Sequence, residues 1–231
     1  RDIAEVTDTD ADNECDPLEA GIAHKEAAAI WDAVEGLYRT GYYPTILFCL
    51  RRQGKVVFNR AIGHARGNGP GDEADTPKLR ATVRTPSCIF SASKGISAMV
   101  MHRMEEQGQL NLLNPISHYI PEFAKHGKER TTIYHLLSHR AGIPGIAGVD
   151  DPQVVLDHEQ CLQLLCDAEP QHLLGRQQAY HAITGGVILN EIVRRVSGMD
   201  MRKAWRTWCE GPMGFKVPDY GGARRRPSRL A

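Results

Sequence analysis

The chain has 231 residues, 42% of them hydrophobic and 24% charged, which suits one ordinary globular unit or a large piece of one and excludes pervasive disorder. Lys plus Arg and Asp plus Glu both total 28, so the formal net charge is zero and electrostatics favours no nucleic acid as a partner. No run approaches about eighteen uninterrupted apolar residues and the acidic start lacks the basic and apolar regions of a signal peptide, so the expectation is a chain without a membrane span, cytoplasmic as it stands.

Residues 1–20 are rich in Asp and Glu and are expected to form a poorly ordered leader in solvent. From His24 to Thr40, Ile30, Trp31, Val34, Leu37 and Tyr38 recur at helical spacing and predict an amphipathic helix ending near Gly41. Thr45 to Leu50 and Lys55 to Asn59 are β-rich runs separated by Arg51-Arg52-Gln53-Gly54, the composition of an antiparallel hairpin. Gly63 to Pro77, rich in Gly, Asp and Pro, reads as a loop.

Ser91 opens the next helix, whose apolar positions Ile96, Met99, Val100 and Met104 lead to a stop at Gly108. Thr132 caps a further helix through Leu136 and Leu137, expected to end at Gly142 before Pro144. Ile188, Leu189, Ile192, Val193 and Val196 mark another that ends at Gly198. Helices that follow a hairpin, with few further strand candidates, give an α+β architecture and not an alternating βαβ one. A hairpin without neighbouring strands would be marginal in water. Six cysteines are scattered with no C-x-x-C pair, so they read as reduced thiols; Cys161 and Cys166, five apart, fall on different helix faces.

Ser91-Ala92-Ser93-Lys94 fits S-x-x-K, a spacing that puts serine and lysine on one face of a helix. A serine hydroxyl needs a base to become a nucleophile, and a helix start can stabilise an oxyanion through backbone N–H groups. An N-capping serine beside a surface lysine would give the same four letters. The context decides between them. Phe90-Ser91-Ala92-Ser93-Lys94 is followed by Glu105-Glu106-Gln107-Gly108-Gln109-Leu110, by Asn114-Pro115-Ile116, by Tyr119-Ile120-Pro121-Glu122-Phe123, and by His135-Leu136-Leu137-Ser138-His139-Arg140-Ala141-Gly142-Ile143-Pro144. That succession resembles the class C β-lactamase and serine carboxylesterase family, penicillin-binding-protein-like S-x-x-K hydrolases, over roughly Pro44 to Tyr220.

The resemblance implies an α+β fold of the serine β-lactamase/DD-peptidase type, with an antiparallel sheet and a helical region, over residues 21–220, and no cofactor. It implies Ser91 as nucleophile and Lys94 as its partner. The family's second motif, usually Y-x-N, is matched by Tyr180-His181-Ala182. Tyr180 is then the proton shuttle, and His181 and Ala182 are the candidate substrate-binding positions. Ala182 stands where the family has asparagine, whose amide would bond an acylamino substrate; its loss favours an ester. Adjacent side chains seldom converge, which argues against His181 as a base.

The third motif, K-T-G or a variant such as H-x-G or W-x-G, is not found. The expectation is a chain truncated at its C-terminus, without the family's later strands, and with a basic tail at residues 221–231 that is unlike the family. Its small-molecule substrate would be an ester or a β-lactam. The readings left open are an esterase acting through an acyl-enzyme, a β-lactamase or D-amino-acid peptidase using the same serine, and a catalytically inactive remnant. His135 and His139 are four apart, a spacing that can grip a metal, but no H-E-x-x-H motif or third ligand accompanies them, and they read as structural histidines with no metal site. No G-x-S-x-G elbow occurs, which speaks against an α/β-hydrolase.

Overall fold

The computed structural model describes residues 2–146 and 152–214; the basic tail lies outside them. The described residues up to Ser87 form one compact unit and those from Cys88 onward a second. Among them no helix is long and apolar enough to cross a membrane.

The first unit is a sheet with one helix. Its acidic leader is built into the structure, against the expectation of a loose segment. Asp2 caps a 3₁₀ turn, Ile3–Val6, through the Ala4 N–H at 3.0 Å. Strand β1, Thr7–Thr9, then follows. The reason is complementary partners that charge counting cannot see. The Glu14 carboxylate takes the Arg60 Nη2 at 2.7 Å, the Arg60 Nε at 2.9 Å and the backbone N–H of Asn59 at 2.8 Å. Asp10 takes the Asn59 side-chain amide at 2.7 Å.

Helix α1, His24–Arg39, forms where the periodicity predicts it and buries Ala27 and Val34. Strands β2, Thr45–Arg52, and β3, Lys55–Arg66, make the predicted hairpin. Gln53 and Gly54 both have positive φ, 51° and 78°, the twist that suits a two-residue connection between right-twisted strands. Trp31 of α1 packs on Phe58 and Phe48, with ring centroids 6.1 and 6.4 Å away.

Strand β3 runs on through Gly63, where glycine composition had predicted a loop. Gly63 has a φ of 105°, and a Cβ there would stand 2.2 Å from the Pro44 carbonyl oxygen. The glycine marks a close backbone approach inside a strand and not a break in it. β1 pairs antiparallel with β3, Thr7 opposite Ile62. A short β4, Leu79–Arg80, pairs with the end of β3. The hairpin therefore has neighbours beyond those the sequence revealed.

The second unit is helical. A 3₁₀ turn, Phe90–Ala92, leads into α2, Ser93–Glu106, which buries Val100, Met101 and Met104. Next come α3, Ile116–Tyr119, and α4, Ile133–Leu137, where Thr132 and His135 cap each other's backbone N–H groups. Helix α4 stops at Leu137, short of the predicted Gly142, because His139 has already turned to a left-handed φ of 60°. Helix α5, His158–Asp167, is capped by Asp157. Helix α6, Thr184–Ser197, ends on Gly198 at a φ of 70°. Helix α7, Met201–Trp205, starts on Asp200.

Met101, Phe123, Ile133, Leu165, Ile188 and Ile192 are fully buried in one core. Lys128 is buried with them. Its amine donates to the carbonyls of Cys166 and Ala168 at the end of α5, which gives the buried amine hydrogen-bond acceptors.

Candidate active site

Ser91 reaches solvent because the chain enters α2 through a strained turn. Phe90, a non-glycine residue, has a φ of 42°, a conformation that costs energy and persists only where its surroundings enforce it. The Ser93 hydroxyl donates to the Phe90 carbonyl at 2.6 Å and closes that turn. Ser91 is exposed on its outer side. Lys94, three residues on, lies on the same face. It donates from Nζ to the Ala182 carbonyl at 2.6 Å.

Tyr180 comes from the segment between α5 and α6. Its hydroxyl is hydrogen-bonded to Ser91 Oγ, and its ring centroid is 5.0 Å from Lys94 Nζ. The hydrogen bond to Ser91, and after it the one to Lys94, hold the Tyr180 phenol below the usual tyrosine range. The structure thus brings Ser91, Lys94 and Tyr180 into one cluster, with the Ala182 backbone beside them. Chemically, a serine hydroxyl meets a phenol whose ionised form a cation favours, at the start of a helix.

His181 does not join that cluster, and its assignment as a substrate-binding position is corrected. The side chain is 1% exposed. Its Nδ1 bonds the Ala179 carbonyl at 2.6 Å and its Nε2 accepts the Ile143 N–H at 3.2 Å. Both ring nitrogens are spent on backbone, which fixes one neutral tautomer. Burial accordingly holds His181 below the ordinary histidine value. The Ala182 side chain is exposed and apolar; what this position contributes is its carbonyl.

His139, read from the sequence as a structural histidine, lies beside Tyr180. Its ring centroid lies 4.9 Å from that of Tyr180 and 5.7 Å from that of His181. Its Nδ1 accepts the His181 N–H at 3.1 Å. His135 caps α4. The one available signal was that His139 lies in the His135-to-Pro144 stretch that resembles the family; nothing in the spacing pointed to Tyr180.

The protein-family model described as Beta-lactamase matches residues 30–231. The chain is similar to the esterase/beta-lactamase LipL of Mycobacterium tuberculosis, 37% identical over 125 residues that make up 54% of this chain and 29% of that protein. It is also similar to esterase EstB of Burkholderia gladioli, 26% identical over 197 residues, 78% of this chain and 47% of that one. Among solved structures, a penicillin-binding protein homologue from Caulobacter crescentus superposes with a TM-score of 0.68 at 28% identity, over 81% of this chain and 48% of its own. The chain spans less than half the length of each of these three proteins.

Proposed function

This chain belongs to the beta-lactamase family, with the penicillin-binding-protein fold, and from that premise we propose that Ser91 is the nucleophile of an acyl-enzyme hydrolase of small carboxylic esters. The observation that carries the reading is the hydrogen bond between Tyr180 and Ser91 with Lys94 beside both.

In this mechanism Tyr180, ionised next to the Lys94 ammonium, takes the proton of Ser91 as Oγ attacks the ester carbonyl carbon. The oxyanion of the tetrahedral intermediate is met by the Ser91 backbone N–H at the entry to α2. Its collapse breaks the bond to the alkoxide, which receives the proton from Tyr180. Water then attacks the acyl-serine carbonyl as Tyr180 takes its proton, the bond to Ser91 Oγ breaks, Oγ regains a proton from Tyr180, and the carboxylic acid leaves.

The ester preference is supported by Ala182, which offers an acylamino substrate no side-chain amide, and by the esterase names of LipL and EstB. The name of LipL also carries beta-lactamase, so a β-lactam is the second substrate class for the same serine. Intact mass spectrometry after exposure to a fluorophosphonate, on the parent and on Ser91→Ala, tests the nucleophile. One adduct lost in the variant is the expected result; no adduct on folded parent overturns the reading. A short-chain nitrophenyl ester and a chromogenic cephalosporin offered side by side then separate the two classes.

A further inference from the structure

We propose that His139 is the positioning residue for Tyr180, holding its phenol on Ser91 by gripping the backbone on both sides of the tyrosine. The inference rests on the reading of Ser91, Lys94 and Tyr180 given above.

Tyr180 is 53% exposed and lies outside any helix or strand. A hydroxyl on such a segment stays at a nucleophile only if something restrains it, since small misplacements cost rate. His139 supplies the restraint three times over. Its carbonyl accepts the N–H of Ala179 at 2.9 Å. Its Nδ1 accepts the N–H of His181 at 3.1 Å. Its ring lies against the phenol, with centroids 4.9 Å apart. One residue therefore takes the backbone N–H before the tyrosine and the one after it, and also packs on the tyrosine itself.

The left-handed backbone of His139, with φ at 60°, is that of the residue just past α4 in a helix-ending turn, where the Arg140 N–H also returns to the His135 carbonyl at 2.6 Å. With it, carbonyl and imidazole of the same residue meet one three-residue segment. His139 is itself anchored by its N–H to the Leu136 carbonyl at 3.1 Å. Nδ1 has a lone pair for His181 only in the neutral ring protonated at Nε2. Burial, and after it Lys94, hold His139 below the ordinary histidine value, which favours that form.

Three variants test the grip. His139→Asn keeps an acceptor at the place of Nδ1 and tolerates the left-handed backbone. His139→Gln carries its amide one bond further out, and His139→Leu has no acceptor. Carbon-13 NMR of tyrosine ring carbons, with Tyr180→Phe identifying the signal, reads the phenol directly. Fluorophosphonate labelling reads Ser91, and circular dichroism establishes folding.

In the parent and in His139→Asn, Tyr180 is expected to titrate below the ordinary tyrosine value of about 10, with labelling rates within about threefold of each other. In His139→Gln and His139→Leu the titration returns to the ordinary value and labelling slows about tenfold, with ester turnover losing kcat and not KM. If His139→Gln keeps the parent's titration and labelling, or if His139→Asn loses them as fully as His139→Gln, the proposal is overturned. The Asn and Gln pair decides even where the Leu variant fails to fold. If the parent itself does not label, the reading of Ser91 fails, while the NMR titration still decides whether His139 holds the phenol.

Discussion

Lys94 Nζ lies 2.6 Å from the carbonyl oxygen of Ala182, so a motif position without a polar side chain still takes part in the site through its backbone. The substrate side of that position is what the alanine leaves bare. Putting an amide there by Ala182→Asn should favour acylamino-bearing substrates over plain esters by about fivefold in relative acylation rate, the worth of one modest hydrogen bond. Paired rates with a cephalosporin and a nitrophenyl ester check it. Equal changes in both would show that residue 182 does not face the acyl substituent.

The Tyr180 hydroxyl meets Ser91 and Lys94, and its ring is not part of the core. Tyr180→Phe should therefore slow Ser91 labelling by about a hundredfold or more, the usual contribution of a positioned proton acceptor, while the melting temperature stays close to that of the parent. Labelling at the parental rate would remove Tyr180 from the mechanism.

The direction of the Tyr180 shift sets a pH dependence. The hydrogen bond to Ser91, followed by that to Lys94, lowers the phenol's pKa, so the ionised base appears at lower pH than for a free tyrosine. The acylation rate should rise with pH and level off below the ordinary tyrosine value of about 10. Replacing Lys94 with Met should move that limb to higher pH. A limb that stays in place would assign it to another group.

The parts of the site that follow from helical spacing were legible in the chain. Ser91 and Lys94 share a face because they are three apart, and the glycine stops at Gly108 and Gly198 were read from composition alone. Tyr180 was reached only through the resemblance, since nothing local says where an irregular segment will fold. His181 was read as a substrate-binding position for the same reason, although its ring turns inward. Which of two polar rings turns inward depends on the backbone groups it meets, here Ile143 and Ala179 for His181. Strand β1 was hidden because an acidic run reads as solvated until its cationic partners, Arg80 for Asp8 and Arg60 for Glu14, are placed.

The Glu14 and Arg60 side chains are 11% and 22% exposed, so this pair belongs to the partly buried class where removing one partner strands the other. Glu14→Ala should lower the unfolding free energy by about 2 kcal/mol, including the lost acceptor for the Asn59 N–H. Glu5→Ala, at an exposed position of the same leader, should change it by less than about 0.5 kcal/mol. Urea titration of both variants measures the contrast. Equal small effects would mean that the leader's contacts contribute little.

Gly142 joins the end of the α4 region to Ile143, whose N–H holds the His181 ring. Its φ is 72°, and a Cβ would stand 2.6 Å from a Leu174 methyl and 2.9 Å from the His172 carbonyl oxygen. The methyl could yield, but the carbonyl is backbone and the left-handed conformation is strained for any side chain. Gly142→Ala should therefore cost about 2 kcal/mol or more in stability. It should also slow Ser91 labelling in the protein that remains folded, because Ile143 and His181 support the Tyr180 segment. Gly145, three residues on, has open space at its Cβ position and no positive φ, so Gly145→Ala should be nearly neutral. If both substitutions are tolerated alike, the turn at Gly142 is not what fixes the His181 ring, and the support of Tyr180 must come from His139 alone.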